Sequence, residues 1–177
     1  MSVMRETFQQ TVTRALPDLA ILWRCDRKGV SSGWCRSSDA TQLLSLGEQV
    51  AKVGGRLSMI TAYLAPQEGA APGREVAYHF ELDGDTFTLT ILLPRSGATL
   101  PSLTPLFANA DWNEREMMEL YDLKVEGHPD PRPLFIDDSA GPQVFERLVP
   151  FSTFVSGASS QALWERVLAT QPTKETL

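Results

Sequence analysis

Three closely spaced runs of strand-forming residues constrain the fold of this chain more than any other feature. The runs RLSMITAYL, REVAYHFEL and TFTLTILL occupy residues 56–64, 74–82 and 86–93, and they are rich in β-branched and aromatic side chains. An Asp-Gly step at residues 83–84 joins the last two runs, and such a step between strand-forming runs is a signal for a β-hairpin. The middle of the chain therefore predicts an antiparallel element.

Helical patterns lie on both sides of these strands. Apolar residues recur at helical spacing within residues 2–16, 39–53 and 108–121, and a proline or a glycine pair follows the first two stretches. The short apolar run LAILWRC at residues 19–25 is typical of a buried strand. This order of elements favours an α+β fold with two layers, in which helices pack on one face of a mixed β-sheet containing an antiparallel hairpin.

The length of 177 residues indicates one domain, which we expect to span residues 1–171. The pattern predicts further helices at residues 139–148 and 159–169, and a flexible tail at residues 172–177. The net charge of −6 argues against nucleic acid as a partner, because phosphates would be repelled. We expect a cytoplasmic protein without direct membrane insertion, because no apolar run approaches the length of a membrane span and the start does not read as a signal peptide.

The most unusual stretch of the sequence is WNEREMMELYDLKVEGHPDPRPLF at residues 112–135, which surrounds His128 with acidic side chains. The histidine has no ligand set beside it, so a metal site is not predicted. The pattern predicts that the carboxylates of this helix form a solvated face with a modest ion pair, because Glu116 and Glu119 share a face and Arg115 lies four residues before Glu119. The carboxylates in question are Glu114, Glu116, Glu119 and Asp122. The sequence predicts neither catalytic, cofactor-binding nor metal-binding residues in this stretch.

One enzymatic alternative stays open from the residues alone. A small soluble hydrolase or lyase would use His128 together with Asp130 or Glu116 in a concave pocket. The chain contains no nucleophile elbow and no glycine-rich phosphate loop, so nucleotide and flavin chemistry is not indicated. A protein-interaction module without a redox partner is a third interpretation.

Prolines set the conformation of the end of this stretch. Pro129, Pro131 and Pro133 each fix φ, so we expect a stiff, non-helical finger rather than a mobile loop. Stiffness of this kind lowers the entropic cost of docking. Arg132 stands between two of the prolines and would offer its planar guanidinium to a carboxylate or carbonyl of a partner.

Eleven residues of this stretch resemble a family signature in type and spacing: Trp112, Glu114, Arg115, Glu116, Glu119, Tyr121, Gly127, His128, Pro129, Asp130 and Arg132. The signature is that of the thirty-kilodalton subunit of respiratory NADH dehydrogenase, also known as the C subunit of complex I. The same domain occurs in energy-converting [NiFe] hydrogenases of the formate hydrogenlyase type. The resemblance covers residues 55–136 best.

The resemblance implies a non-catalytic structural subunit without a cofactor, whose eleven signature residues form a docking surface. Its partners would be a large catalytic subunit, similar either to the forty-nine-kilodalton subunit of complex I or to that of a [NiFe] hydrogenase, and a small iron–sulfur subunit. The protein would lie in the cytoplasm, peripheral on the inner face of the cell membrane. The stretch VPFSTFVSG replaces a basic stretch that is typical of complex I, and GHPDPRPL is closer to the hydrogenase type, so both memberships stay open.

Overall fold

The computed structural model describes residues 2–65, 73–94, 97–121 and 123–135. Three helices are present in these ranges, α1 (Val3–Ala15), α2 (Thr41–Lys52) and α3 (Ala110–Tyr121). The predicted helices at 139–148 and 159–169 and the predicted tail at 172–177 lie outside the described residues, and the single domain at 1–171 stays a prediction.

Seven strands accompany the helices within the described ranges: β1 (Leu22–Cys25), β2 (Ser31–Ser37), β3 (Arg56–Ala65), β4 (Gly73–Leu82), β5 (Asp85–Leu93), β6 (Thr99–Pro101) and β7 (Lys124–Glu126). The first five form one mixed sheet in the order β1-β2-β5-β4-β3, in which β2 and β5 are parallel and the other neighbours are antiparallel. The short strands β6 and β7 pair in parallel as a second sheet. The predicted α+β class with a mixed sheet is confirmed.

The predicted hairpin between β4 and β5 is present. Asp83 and Gly84 form its two-residue turn with φ values of 52° and 87°. Positive φ at both central positions is what a type I′ turn requires, and the twist of that turn matches the twist of the strands. In the sheet, β5 is the central strand, and β4 lies between β5 and β3.

The helices cover one face of the sheet. In α1 the side chains of Phe8 and Val12 are buried. The ring centroid of Phe8 lies 4.9 Å from the ring centroid of Phe87 in β5. In α2 the fully buried side chains Leu43, Leu46 and Val50 recur at helical spacing. The predicted layering of helices on one sheet face is therefore confirmed.

Two strand predictions were wrong. The run at residues 19–25 was expected to be a buried strand, but β1 begins at Leu22 and lies exposed at the edge of the sheet. No strand was predicted at Ser31–Ser37, because SSGWCRS lacks the β-branched residues typical of strands. This segment nevertheless lies inside the sheet between β1 and β5.

The third helix packs against the β3 edge of the sheet and covers part of it. The Asn109 side chain donates a hydrogen bond to the Leu57 carbonyl at 2.8 Å, and the Asn113 side chain accepts the N–H of Ile60 at 3.4 Å. A register shift between Leu57 and Met59 interrupts β3 at this place. These contacts fix α3, and with it the signature stretch, against the sheet.

Candidate docking site

Glu114 on α3 is a buried side chain and not part of a solvated helix face. It is 0% exposed, and its carboxylate accepts hydrogen bonds from Ser102 Oγ at 2.6 Å, from the Leu103 N–H at 2.6 Å and from Thr104 Oγ1 at 3.0 Å. Three donors around one carboxylate offset the cost of burying its charge. Glu114 therefore holds α3 to the connector after β6, and the prediction of a solvated face is wrong for this residue.

His128 is held in one tautomer by the chain around it. Its side chain is 0% exposed, and its Nδ1 accepts the N–H of Asp130 at 3.0 Å. An accepting Nδ1 carries no proton, so the proton of the neutral ring is on Nε2, which donates to the Asp111 carbonyl at 3.3 Å. The imidazole thereby joins the turn after β7 to the first turn of α3.

Two carboxylates of α3 lie beside the His128 ring. Its Nε2 lies 3.2 Å from Asp111 Oδ1 and 3.7 Å from Glu114 Oε2. Sequence reasoning missed Asp111 as a member of this cluster, because its proximity depends on how the turn at 127–130 folds back on α3. Through Glu114 the cluster also reaches the connector after β6, while the Asp111 side chain is 31% exposed at its outer end.

The enzymatic alternative is not favoured by this geometry. Asp130 contacts His128 through its backbone N–H, while its carboxylate binds Arg132. Glu116 is exposed on α3 and does not share the buried position of the imidazole. A general base must reach its substrate, and the His128 side chain has no exposed surface through which to do so.

Residues 129–135, here called the strap, run along α3. Arg115 Nε donates to the Arg132 carbonyl at 2.8 Å, and Arg115 Nη2 donates to the Pro133 carbonyl at 2.9 Å. One oxygen of Glu119 accepts the N–H groups of Leu134 and Phe135 at 3.0 and 2.9 Å. The strap is non-helical, as predicted, but it is bound along a helix and is not a projecting finger.

Arg132 is exposed and is already engaged by a carboxylate of its own chain. Its Nε donates to Asp130 Oδ1 at 2.7 Å and its Nη2 to Asp130 Oδ2 at 2.6 Å, while 78% of its side chain is exposed. These side-chain hydrogen bonds lower the pKa of Asp130 to about 2. A docking partner would meet a guanidinium that is already oriented by Asp130.

The remaining signature residues face outward or lie at the boundary. Trp112 is 68% exposed, Gly127 and Pro129 are exposed, and Tyr121 is half-buried. Two further apolar side chains that the signature does not contain, Leu120 and Phe135, are 39% and 63% exposed.

Trp112, Glu116 and Leu120 recur every four residues on α3, so they line one side of the helix. Phe135 is the exposed end of the strap, and its N–H is bonded to Glu119, the residue before Leu120. The outward face is defined here as Trp112, Glu116, Leu120 and Phe135.

Neither a metal centre nor a membrane span is found in the described part of the chain. The described residues contain no group of three or more His, Cys, Asp or Glu side chains arranged to hold a metal ion. None of the helices in these ranges is long and apolar enough to cross a membrane.

Known proteins are similar to this chain in sequence and in fold. The J subunit of NAD(P)H-quinone oxidoreductase from Synechococcus sp. (strain RCC307) is 33% identical over 106 residues, which are 56% of this chain and 56% of that protein. The C/D subunit of NADH-quinone oxidoreductase from Gluconacetobacter diazotrophicus is 27% identical over 111 residues, 58% of this chain and 18% of that protein. The chain spans about half the length, or less, of the curated relatives that it matches.

A solved structure supports the fold. A chain of the membrane-bound sulfane sulfur reductase, an archaeal respiratory membrane complex, superposes with a TM-score of 0.57 at 17% identity, over 81% of this chain and 82% of that chain. The model of the family "Respiratory-chain NADH dehydrogenase, 30 Kd subunit" matches residues 35–151, which include β3 to β7 and the whole signature stretch. The chain therefore belongs to the 30 Kd subunit family of respiratory-chain NADH dehydrogenase.

Proposed function

We propose that this chain is a non-catalytic structural subunit of a membrane-bound electron-transfer complex of the complex I type. Its relatives are named as subunits of NADH- and NAD(P)H-quinone oxidoreductases, and a protein of the same fold is part of an archaeal respiratory membrane complex. The buried ionisable groups of the signature stretch bind other parts of the same chain, which fits a structural role better than a reaction. In the assembly, the chain provides a docking surface of fixed shape.

The observation that carries this proposal is the division of the signature stretch into two sides. Glu114 and His128 face inward and bind the connector and the turn. Arg115 and Glu119 bind the backbone of the strap. This bracing holds the outward face in a fixed shape, and a preorganised surface loses little conformational entropy on docking.

The composition of the outward face suits the core of a protein interface. It contains Trp112, Leu120 and Phe135, and the strap that ends at Phe135 also carries the guanidinium that Asp130 orients. Aromatic residues and arginine are enriched among the residues that dominate binding energy at interfaces. The partner proposed for this face is the large catalytic subunit, of the forty-nine-kilodalton or the [NiFe]-hydrogenase kind, with the small iron–sulfur subunit as a neighbour in the complex.

The proposed location follows from the proposed assembly. The protein would be peripheral, on the cytoplasmic side of the membrane, attached through the complex and not by a span of its own. The occurrence of the related fold in a membrane-bound complex supports attachment through an assembly.

Co-purification from native membranes tests the proposal. The chain, tagged and expressed in its own host, should recover a large subunit of the forty-nine-kilodalton or [NiFe]-hydrogenase kind under mild detergent. The Arg132→Ala variant should recover less of it while it remains folded, with only a small fall in the unfolding temperature, because the pair with Asp130 is largely exposed and contributes little to stability. Recovery of the tagged chain by itself would contradict the proposal, and unfolding of the variant would reassign Arg132 to structural support.

A further inference from the structure

The two edges of the five-stranded sheet differ in how their backbone groups are covered. At the β3 edge, Asn109 and Asn113 bind backbone groups of Leu57 and Ile60. At the opposite edge, no strand of the described part of the chain pairs with the outer side of β1. An uncovered edge is a template on which a further strand can form. Within the described residues, part of the β3 edge is thus bound by side chains near α3, whereas the β1 edge is left open.

The hydrogen-bond pattern shows which backbone groups of β1 point outward. The Asp26 N–H donates to the Val30 carbonyl at 2.8 Å, in register with the β1–β2 ladder. Because the bonding direction alternates along an antiparallel strand, the backbone groups of Arg24 point toward β2. Those of Trp23 and Cys25 point away from β2 and form the outer edge.

A groove runs beside this edge, between α1 and β1. It has a volume of about 420 Å³, and its lining includes Arg5, Glu6 and Gln9 of α1 and Trp23, Arg24 and Cys25 of β1. Gln9 accepts a hydrogen bond from the Trp23 indole at 2.6 Å, and the Arg5 guanidinium lies 5.4 Å from the ring centroid. The indole is therefore held in place as an apolar floor before any ligand arrives.

Positive charge surrounds the outer end of β1, although the chain as a whole carries −6. Arg24, Arg27 and Lys28 are all exposed. The carboxylate of Asp26 lies among them, but its Oδ1 accepts the N–H groups of Lys28 and Val30 and serves the turn. The surface beside the open backbone edge is thus complementary to carboxylates.

We propose that β1 is the acceptor edge for an extended, acidic segment of a partner protein, which adds to the sheet as a sixth strand. Its backbone would pair with Trp23 and Cys25, and its carboxylates would lie along the side of Arg24. Side chains in an added strand alternate between two faces, so uncharged ones would enter the groove, where Glu6 disfavours a second acidic row. This inference does not depend on the outward face of α3.

The same charges argue against a second copy of this chain as the occupant. Pairing of β1 with another β1 would bring two clusters of Arg24, Arg27 and Lys28 together, and like charges at close range oppose association. A short strand with an arginine is also a common way to protect an edge. Protection of the edge against unwanted pairing would not need a groove beside the strand. The groove and its preformed indole floor therefore point to binding.

Peptide binding to the isotope-labelled full chain tests the proposal. The probe is a ten-residue peptide that alternates valine and glutamate, and its matched counterpart carries lysine for glutamate. We expect the glutamate peptide to slow amide hydrogen exchange at Trp23 and Cys25 in NMR spectra and to bind at least about tenfold more tightly than the lysine peptide. The preference should weaken in high salt, since exposed charges are screened.

Three variants assign the binding to β1. Cys25→Pro removes an outward N–H and spares the bonds to β2, so binding should fall about tenfold, whereas Cys25→Ala keeps the N–H and should bind fully. Arg24→Glu should weaken binding of the glutamate peptide and strengthen that of the lysine peptide. Arg56→Glu, an exposed arginine on the opposite edge strand, is the matched control and should change neither.

Several outcomes would overturn the inference. Equal binding of the two peptides would show that the basic residues do not select an acidic partner. Unchanged binding by a folded Cys25→Pro variant would show that the peptide does not pair with the β1 backbone. Circular dichroism and thermal unfolding establish whether that variant is folded, and the Arg24→Glu result decides the matter if it is not. A concentration-dependent dimer abolished by Cys25→Pro would assign the edge to a second copy of the chain.

Discussion

The acidic residues of the signature stretch have different roles because they differ in burial. Glu114 and Glu116 are two positions apart on α3, yet the first is fully buried and the second is exposed. On a helix, such neighbours lie on different faces. One glutamate therefore holds the chain together, while the other is available to solvent or a partner.

Replacement of Glu114 should destabilise the protein. Glu114→Ala removes the acceptor for Ser102, Leu103 and Thr104, and buried donors without an acceptor cost about 1–3 kcal/mol, so we expect a loss of about 3 kcal/mol in the free energy of unfolding. Glu114→Gln keeps one oxygen and should lose about 1 kcal/mol. Urea unfolding measures both, and Glu116→Ala, the exposed control, should stay within about 0.5 kcal/mol of the parent.

The Asp130–Arg132 pair gives a testable pKa. Hydrogen bonds from Arg132 lower the pKa of Asp130 from 3.8 to about 2. Because the folded value is the lower one, the contribution of the pair to stability is present above pH 3.8 and is lost as pH falls toward 2. Arg132→Ala should raise the pKa of Asp130 toward 3.8 in a carboxyl NMR titration. Arg56→Ala, a distant exposed arginine, should leave it unchanged.

The inward roles of Glu114 and His128 were not predictable from helical spacing. A helical pattern shows which residues share a face of the helix. The hydrogen-bond donors for Glu114 are outside the helix, at residues 102–104, which lie 10 to 12 positions earlier in a proline-containing connector. The neighbours of His128 depend likewise on a turn that folds back on α3. The residue types of the site were predictable, whereas the direction in which each side chain points depends on tertiary contacts.

At the level of elements, α3 and the strap form a unit through side chain to backbone bonds. The strap has three prolines, which lack N–H groups and cannot join a ladder. In place of a ladder, Arg115 binds two carbonyls of the strap and Glu119 binds its last two N–H groups. The strap is therefore ordered by α3 and not by its own secondary structure.

Loss of Glu119 should release the end of the strap. Glu119→Ala removes the acceptor for the N–H groups of Leu134 and Phe135, so their amide hydrogen exchange should become about tenfold faster. The amides in the middle of α3 should keep their protection, because helical bonds remain. Glu116→Ala is the matched control, and equal acceleration in both variants would mean that Glu119 does not hold the strap.

Among the strands, sequence reasoning succeeded where the pattern was local and failed where it was not. The β4–β5 hairpin was predictable because its turn and both strands carry their own signals. Strand β2 was not, because Gly33 is needed there for a tertiary reason: a side chain at this position would come within 2.8 Å of the Trp23 ring. Strand β6 was hidden in a proline-containing connector and exists through its pairing with β7.

At the level of the whole molecule, the side chains that hold the fold lie apart from the two surfaces proposed for contact with partners. The helices α1 and α2 and the sheet enclose a core, and α3 lies against the β3 edge with the signature stretch upon it. The residues that hold this arrangement are buried, while the outward face and the β1 edge are exposed at different places of the described fold. Such a scaffold can present two contact surfaces without a conformational change.

The separation predicts that docking can be lost without loss of stability. Trp112→Ala should reduce incorporation into the complex by about tenfold, since exposed aromatic side chains at interface centres commonly contribute more than about 1 kcal/mol to binding. Its urea midpoint should match that of the parent protein, because 68% of the side chain is exposed. Native gel analysis of membranes, with the variants at equal expression, measures the incorporated fraction.

The matched control for this experiment is Trp34→Ala. Trp34 lies on β2, away from α3, and is 44% exposed, so the same chemical change is made at another place on the surface. Incorporation of this variant should stay near that of the parent. Equal losses for both tryptophans would show that the outward face has no special part in docking, and a lower urea midpoint for Trp112→Ala would assign that tryptophan to the fold.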